Sequence, residues 1–257
     1  MFKFFKKNRY GIALGTGGLK GFVHIGVLKA LEELDIEITH IGGSSVGSLI
    51  GGIYAVHGNI NKVEDIVLKY DRKKLLSLFS TDVGLLNGVF KGDNFLDELE
   101  KLVGNVKISD CLIPYVAVSV DLLTGEKIYH TTGLLKDAIR ASCSIPYVFK
   151  PYELNGRVLV DGGLVESVPV QAVESIGAKK VLGINIQDFP REEGNINLKT
   201  LGRLIYRASM THLAQRDVEL ADMSLNFNLE DMKALEIVDE PETLIEIGYK
   251  ETKKLFG

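Results

Sequence analysis

Cysteine is scarce in this 257-residue chain. Cys111 and Cys143 could pair with each other, but they have no metal-type spacing, and they read as buried free thiols in a reducing compartment. Also missing is any apolar run approaching the roughly 20 residues that span a bilayer. The first ten residues, MFKFFKKNRY, lack the apolar stretch and small-residue cleavage site of a secretion signal. Positive charge is not in excess: 30 Lys and Arg stand against 34 Asp and Glu, which disfavours nucleic acid as a partner. No internal repeat, low-complexity tract or linker divides the chain, and no metal-ligand set or cofactor motif is seen. These absences leave a cytoplasmic globular protein, expected to form one domain over residues 1–257. With 46% hydrophobic and 25% charged residues there is ample material for a core. A short tail, residues 1–9, mixes Phe2, Phe4 and Phe5 with Lys3, Lys6, Lys7 and Arg9. It is expected to fray and pack its aromatics on the domain, with peripheral contact at an inner membrane surface as the alternative.

What is present is an alternation of patterns. YGIALG (10–15) is a short apolar run ending in glycine, as a buried strand would be. After TGGLKG, residues 22–35 carry Ile25, Leu28, Leu31 and Leu34 at helical spacing. IEITHIGG (36–43) returns to strand and SLIGGIYAVHG (48–58) to helix. Residues 60–109 are more charged and mostly helical in pattern. Residues 115–133 read as two strands joined at LLTGE, 134–142 as a helix stopped by Pro146, and 156–163 and 179–186 as strands. Long amphipathic helices are expected over 201–222 and 241–256. Strand, loop and helix in repetition predict a sheet with helices on its faces.

The chemistry begins at THIGGSSVGSLIGG (39–52). Within it Gly43–Gly47, GSSVG, fits Gly-x-Ser-x-Gly between an expected strand and an expected helix, the setting of a nucleophile elbow. Gly43 and Gly47 would let strand and helix approach closely, and Ser45 would project its hydroxyl at a helix N-terminus. Ser44 and Ser48 fall at packing or capping positions. A plain glycine turn explains the glycines equally well but does not require the serine. A second glycine-rich loop, LGTGGLKG (14–21), also joins strand to helix and can gather its N–H groups into an anion nest. Such a nest holds either a phosphate or the oxyanion of a tetrahedral intermediate. The nucleotide alternative lacks a Walker Gly-Lys-Ser/Thr, since Lys20 precedes Gly21, and lacks the acidic residue that would bind ribose.

A serine hydroxyl needs a base. His24, His40, His57, His130 and His212 are candidates, but none has a recognisable catalytic context, and His24 falls among apolar helix positions. Asp161 in VLVDGGLVESVPV is better placed, at a strand end before Gly162 and Gly163, although a strand-end Asp-Gly-Gly can also be a plain turn.

Glycine loop, GSSVG and DGG, in this order, resemble the patatin-like phospholipase family, particularly its compact bacterial members. AIRASCSIPYVFKP and the closing IEIGYK are similar to family segments as well, so the resemblance covers nearly the whole chain. It implies a three-layer α/β/α fold with a central, mostly parallel sheet, and a lipid or acyl-ester substrate. It implies Ser45 as nucleophile and Asp161 as general base, without histidine, metal or cofactor. The oxyanion hole would come from Gly17 and Gly18, with Lys20 at the family's basic position and Gly15 and Gly21 supporting the loop. The family loop usually has glycine where Thr16 stands, so Thr16 is the weakest donor of the three, and a β-branched residue would be strained there at positive φ. Two other classes stay open: a Ser–His acyl hydrolase or acyltransferase with His212 as base, and a non-catalytic lipid-binding or regulatory module.

Overall fold

The computed structural model describes residues 8–68, 92–187, 197–229 and 241–257. Strand β1 (Arg9–Leu14) is buried at every position but Arg9, as suits a strand covered on both faces. It pairs in parallel with β2 (Glu37–Ser44) on one side and β7 (Val181–Asn185) on the other. The parallel order continues from β2 to β3 (Tyr115–Asp121) and from β7 to β8 (Met223–Asn226). Three antiparallel strands complete the eight-stranded sheet: β4 (Lys127–His130), β5 (Tyr152–Leu154) and β6 (Arg157–Asp161). Strand order is β5-β6-β3-β2-β1-β7-β8, with β4 paired to β3.

Side-chain alternation sets the two helical layers. Leu14 and Ile41 point to α2 (Val46–His57), where a Cβ on Gly51 would lie 2.8 Å from Ile41 and 3.2 Å from Leu14. Their neighbours Ala13 and Gly42 point the other way, toward Val173 of α6 (Val170–Ser175). The first layer holds α1 (Phe22–Glu33), α2, α3 (Ile60–Leu68), α4 (Asp93–Val103) and α5 (Leu135–Ser142) around one large apolar core. Helix α8 (Pro241–Phe256) packs on α1 so closely that Gly26 and Gly248 each face the other helix's backbone, where a Cβ would overlap a carbonyl. On the opposite face α7 (Leu198–Val218) joins α6, with Ala214 in that smaller core. The result is a three-layer α/β/α arrangement about a mostly parallel sheet.

Several expectations move by a few residues. The second helix begins at Val46 rather than residue 48, directly after Ser45. The strand over 156–163 ends at Asp161, and Gly162–Leu164 form a single 3-10 turn. Arg9 is no tail residue: it opens β1 and pairs with Glu37 at 2.8 Å. Residues 1–7 of the expected tail and 69–91 of the expected helical region lie outside the described residues. The short β5, α6 and β8 were not expected from periodicity. No helix among the described residues is long and apolar enough to cross a membrane.

Candidate active site

The turn between β2 and α2 has the geometry of a nucleophile elbow. Ser45 takes φ 54° and ψ −126°, a conformation uncommon for a non-glycine residue, and caps α2. A Cβ on Gly43 would overlap the Ser48 backbone, and one on Gly47 would overlap the Leu14 carbonyl, so both positions demand glycine. The strain is held by a dense set of bonds. Ser45 N donates to Ser142 Oγ at 3.0 Å. Ser45 O accepts from Ser48 N at 2.8 Å, Ser48 Oγ at 2.6 Å and Cys143 Sγ at 3.2 Å. Ser44 turns away and donates to Glu166 O at 2.6 Å. Ser44 and Ser48 are therefore framework residues, as their positions suggested.

Strand pairing brings Asp161 to this corner. Ser44, the last residue of β2, pairs with Val118; the next residue of β3, Ser119, pairs with Asp161. Since β4 occupies the other edge of β3, β2 and β6 meet end to end along one edge, with Ser45 and Asp161 at the junction. Gly162 permits this, because a Cβ there would overlap the Val118 carbonyl. The C-terminal end of α5 and the residues after it bind both residues: Ser142 and Cys143 hold Ser45, and Ser144 O accepts from Asp161 N at 3.1 Å.

Asp161 is fully buried. Burial pushes its carboxyl up to about 6, while the Ser45 hydroxyl, the Gly163 N–H and the Tyr206 hydroxyl draw it back down. Gly163 N donates to Oδ1 at 2.8 Å. Oδ2 makes no hydrogen bond of standard geometry, so the Ser45 and Tyr206 hydroxyls lie near the carboxylate without full alignment. Long or bent catalytic hydrogen bonds are common before substrate binds.

In the glycine loop, Gly17 is extended at φ 169° and Gly18 is left-handed at φ 58°, facing open space. Neither N–H donates to a backbone carbonyl among the described residues. Thr16 departs from the expectation. Its φ is not positive, so its β-branch costs nothing. Its N–H, however, donates to Ser167 O at 2.9 Å, which removes it from any oxyanion hole. Gly15 packs on the Ile184 carbonyl, and a Cβ on Gly21 would overlap Val46 of the elbow, so the loop and elbow lie against each other. Lys20 is buried in the 3-10 turn that follows.

Gly18, Gly21 and Ser45 line an open cleft with a volume of about 110 Å³. Its walls are apolar, from Leu19 and Phe22 beside the loop to Leu49 and Ile53 of α2 and Phe95 and Leu102 of α4, with Glu98 the one acidic lining residue among the described residues.

None of the five histidines bonds to Ser45 or Asp161 in the described structure. Burial pushes His24 down to about 4, and its Nε2 lies 2.8 Å from Gly15 O, so Nε2 carries the proton and steadies the glycine loop. His130, likewise down to about 4 through burial, bonds to Ser119 at 2.7 Å. His212 is exposed on α7, His57 ends α2, and His40 lies beside Thr39 in the middle of β2. Both cysteines are free, Cys143 buried and Cys111 partly so. Sequence reasoning missed Ser142, Cys143 and Tyr206. The segment ASCSIP was visible, but nothing local in it says that it grips a serine almost a hundred residues earlier.

A family model for patatin-like phospholipase matches residues 12–173, a span that contains the glycine loop, Ser45 and Asp161. The chain belongs to the patatin-like phospholipase family. Its relatives include an uncharacterized NTE family protein of Mycobacterium bovis, 32% identical over 206 residues, which cover 78% of this chain and 57% of that protein. Lysophospholipase NTE1 of Eremothecium gossypii is 32% identical over 184 residues, 68% of this chain and 12% of its own. Neuropathy target esterase sws of Drosophila melanogaster is 31% identical over 70% of this chain and 13% of its own. The chain thus spans little more than half of the bacterial relative and a small part of the eukaryotic ones. Among solved structures, VipD from Legionella pneumophila superposes with a TM-score of 0.60 at 12% identity, covering 98% of this chain and 67% of that one. That likeness speaks for the patatin-type fold alone.

Proposed function

We propose that this patatin-like chain is a serine lipid acyl hydrolase, of phospholipase A, lysophospholipase or carboxylesterase type. The observation that carries the reading is the burial of Ser45 and Asp161 together at the end of an apolar cleft. In this reading Asp161 accepts the Ser45 proton as Oγ attacks an ester carbonyl. The N–H groups of Gly17 and Gly18, with the N-terminus of α2, stabilise the oxyanion. Collapse of the intermediate expels the alcohol, which takes the proton back from Asp161, and leaves an acyl-serine. Water, deprotonated by Asp161, then releases the fatty acid and regenerates the serine. The cleft receives the acyl chain, while the head group stays toward solvent.

The name of the Eremothecium relative makes monoacyl phospholipids a sensible first substrate. The chain would meet such lipids at a membrane surface without spanning it. The test is a fluorophosphonate probe followed by peptide mapping, with mass spectrometry of fatty acid released from lysophospholipid. Labelling at Ser45, and loss of both signals in Ser45→Ala, is expected. Undiminished labelling or release in that variant would refute the assignment.

A further inference from the structure

Two buried oxygens at the candidate site lack partners of ordinary geometry: Asp161 Oδ2 and the Tyr206 hydroxyl. Buried polar atoms are seldom left so, and here the two deficits are neighbours. Tyr206 lies on the sheet-facing side of α7, four residues before Met210, so the two share one helical face. The Met210 sulfur lies 3.9 Å from Thr16 Oγ1 and would stand 2.7 Å from a Cβ on Gly163. One turn of α7 therefore covers both the glycine loop and the Asp161–Gly163 turn.

We infer that Tyr206 is a positioning residue, donating its phenolic hydrogen bond to the Asp161 carboxylate and holding it in line for Ser45. This rests on the reading of Asp161 as the base. Gly163 N fixes only Oδ1, which leaves the carboxylate free to pivot about that bond. A second donor, from α7, stops the pivot. Burial and the adjacent Asp161 keep the phenol protonated, well above its usual range, so it meets the ionised carboxylate as a donor. Its bond favours the ionised carboxylate and works against the upward push of burial.

The other titratable groups nearby are few. From the end of α5 the Cys143 thiol, pushed up to about 12 by burial and by Asp161, stays neutral. Across β3 the His130 imidazole is bonded to Ser119 and is neutral above about 4. The elbow contributes Ser45 itself. No described lysine, arginine or acidic side chain is among the groups that shift Asp161.

Tyr206→Phe keeps the ring and removes the donor. The measurement is the 13C carboxyl titration of Asp161 in aspartate-labelled protein, its resonance assigned by loss in Asp161→Asn. Wild type and Tyr206→Phe are compared without substrate. The Asp161 titration should move up by about half to one pH unit in the variant. In turnover, kcat should fall about threefold to tenfold with KM nearly unchanged, the scale of one hydrogen bond. An unshifted or lowered titration overturns the assignment, whatever the turnover. Because the titration needs no catalysis, it stands apart from the dyad reading, which fails instead if wild-type Ser45 takes no fluorophosphonate.

Discussion

At the scale of single residues, Asp161 is a buried carboxyl that works against the fold when ionised. A carboxyl that ordinarily titrates near 3.8 is carried to about 6 by burial. The native state then binds a proton more tightly than the unfolded chain, so this group favours folding most below pH 4 and progressively less as pH rises through 6. At pH 8 the ionised carboxylate costs about 3 kcal/mol of stability relative to its unfolded reference. Asp161→Asn removes that cost while retaining an acceptor for Gly163 N. The variant is expected to melt several degrees above wild type at pH 8, with the gap closing toward pH 4, in paired thermal scans. A variant that melts well below wild type at pH 8 would mean the carboxylate is a structural anchor. Under the proposed role of Asp161 as base, function and stability oppose each other at this position.

At the scale of elements, the elbow and the cleft were legible to different degrees. GSSVG announced the strand-to-helix turn because two glycines sit where a Cβ would overlap Ser48 and Leu14. Gly47→Ala should accordingly lower the melting temperature by many degrees, since the Leu14 carbonyl is fixed in the β1 ladder. A variant that melts like wild type would show the contact to be soft. The Asn155–Gly156 turn between β5 and β6, with both residues at positive φ, is a hairpin signal flanked by strands too short to show a period. No sequence signal marks Tyr206. On α7 it belongs to the same buried stripe as Met210 and Ala214, and an aromatic at that spacing reads as core until the fold places Asp161 opposite. The apolar cleft is hidden for the same reason, since its walls are ordinary apolar helix positions. Ser45, Leu49 and Ile53 share one face of α2 and span about 12 Å of helix. Leu49→Trp should therefore cut hydrolysis of a palmitoyl ester by about tenfold or more while sparing a butyryl ester, a discrimination on the order of 1.4 kcal/mol. Equal losses on both esters would place the acyl chain elsewhere.

At the scale of the whole molecule, the sheet is what makes the site. The strand alternation predicted a layered α/β fold, but periodicity could not say that β2 and β6 abut along one edge of β3. That juxtaposition is a property of strand order, and it alone turns a serine and an aspartate far apart in sequence into neighbours. It also leaves His40 mid-strand in β2, His57 at the far end of α2 and His212 on the solvent face of α7.

The dyad is tested most directly by the pH dependence of kcat/KM for a soluble ester, measured for wild type, Asp161→Asn and His212→Gln. In wild type the rate should fall on acidification through a pH near 6, as Asp161 takes up its proton. Asp161→Asn should lose about 10²–10⁴-fold or more at all pH values, the range of a general base, and His212→Gln should match wild type. Near-normal turnover in Asp161→Asn, or a collapse in folded His212→Gln, would contradict the account.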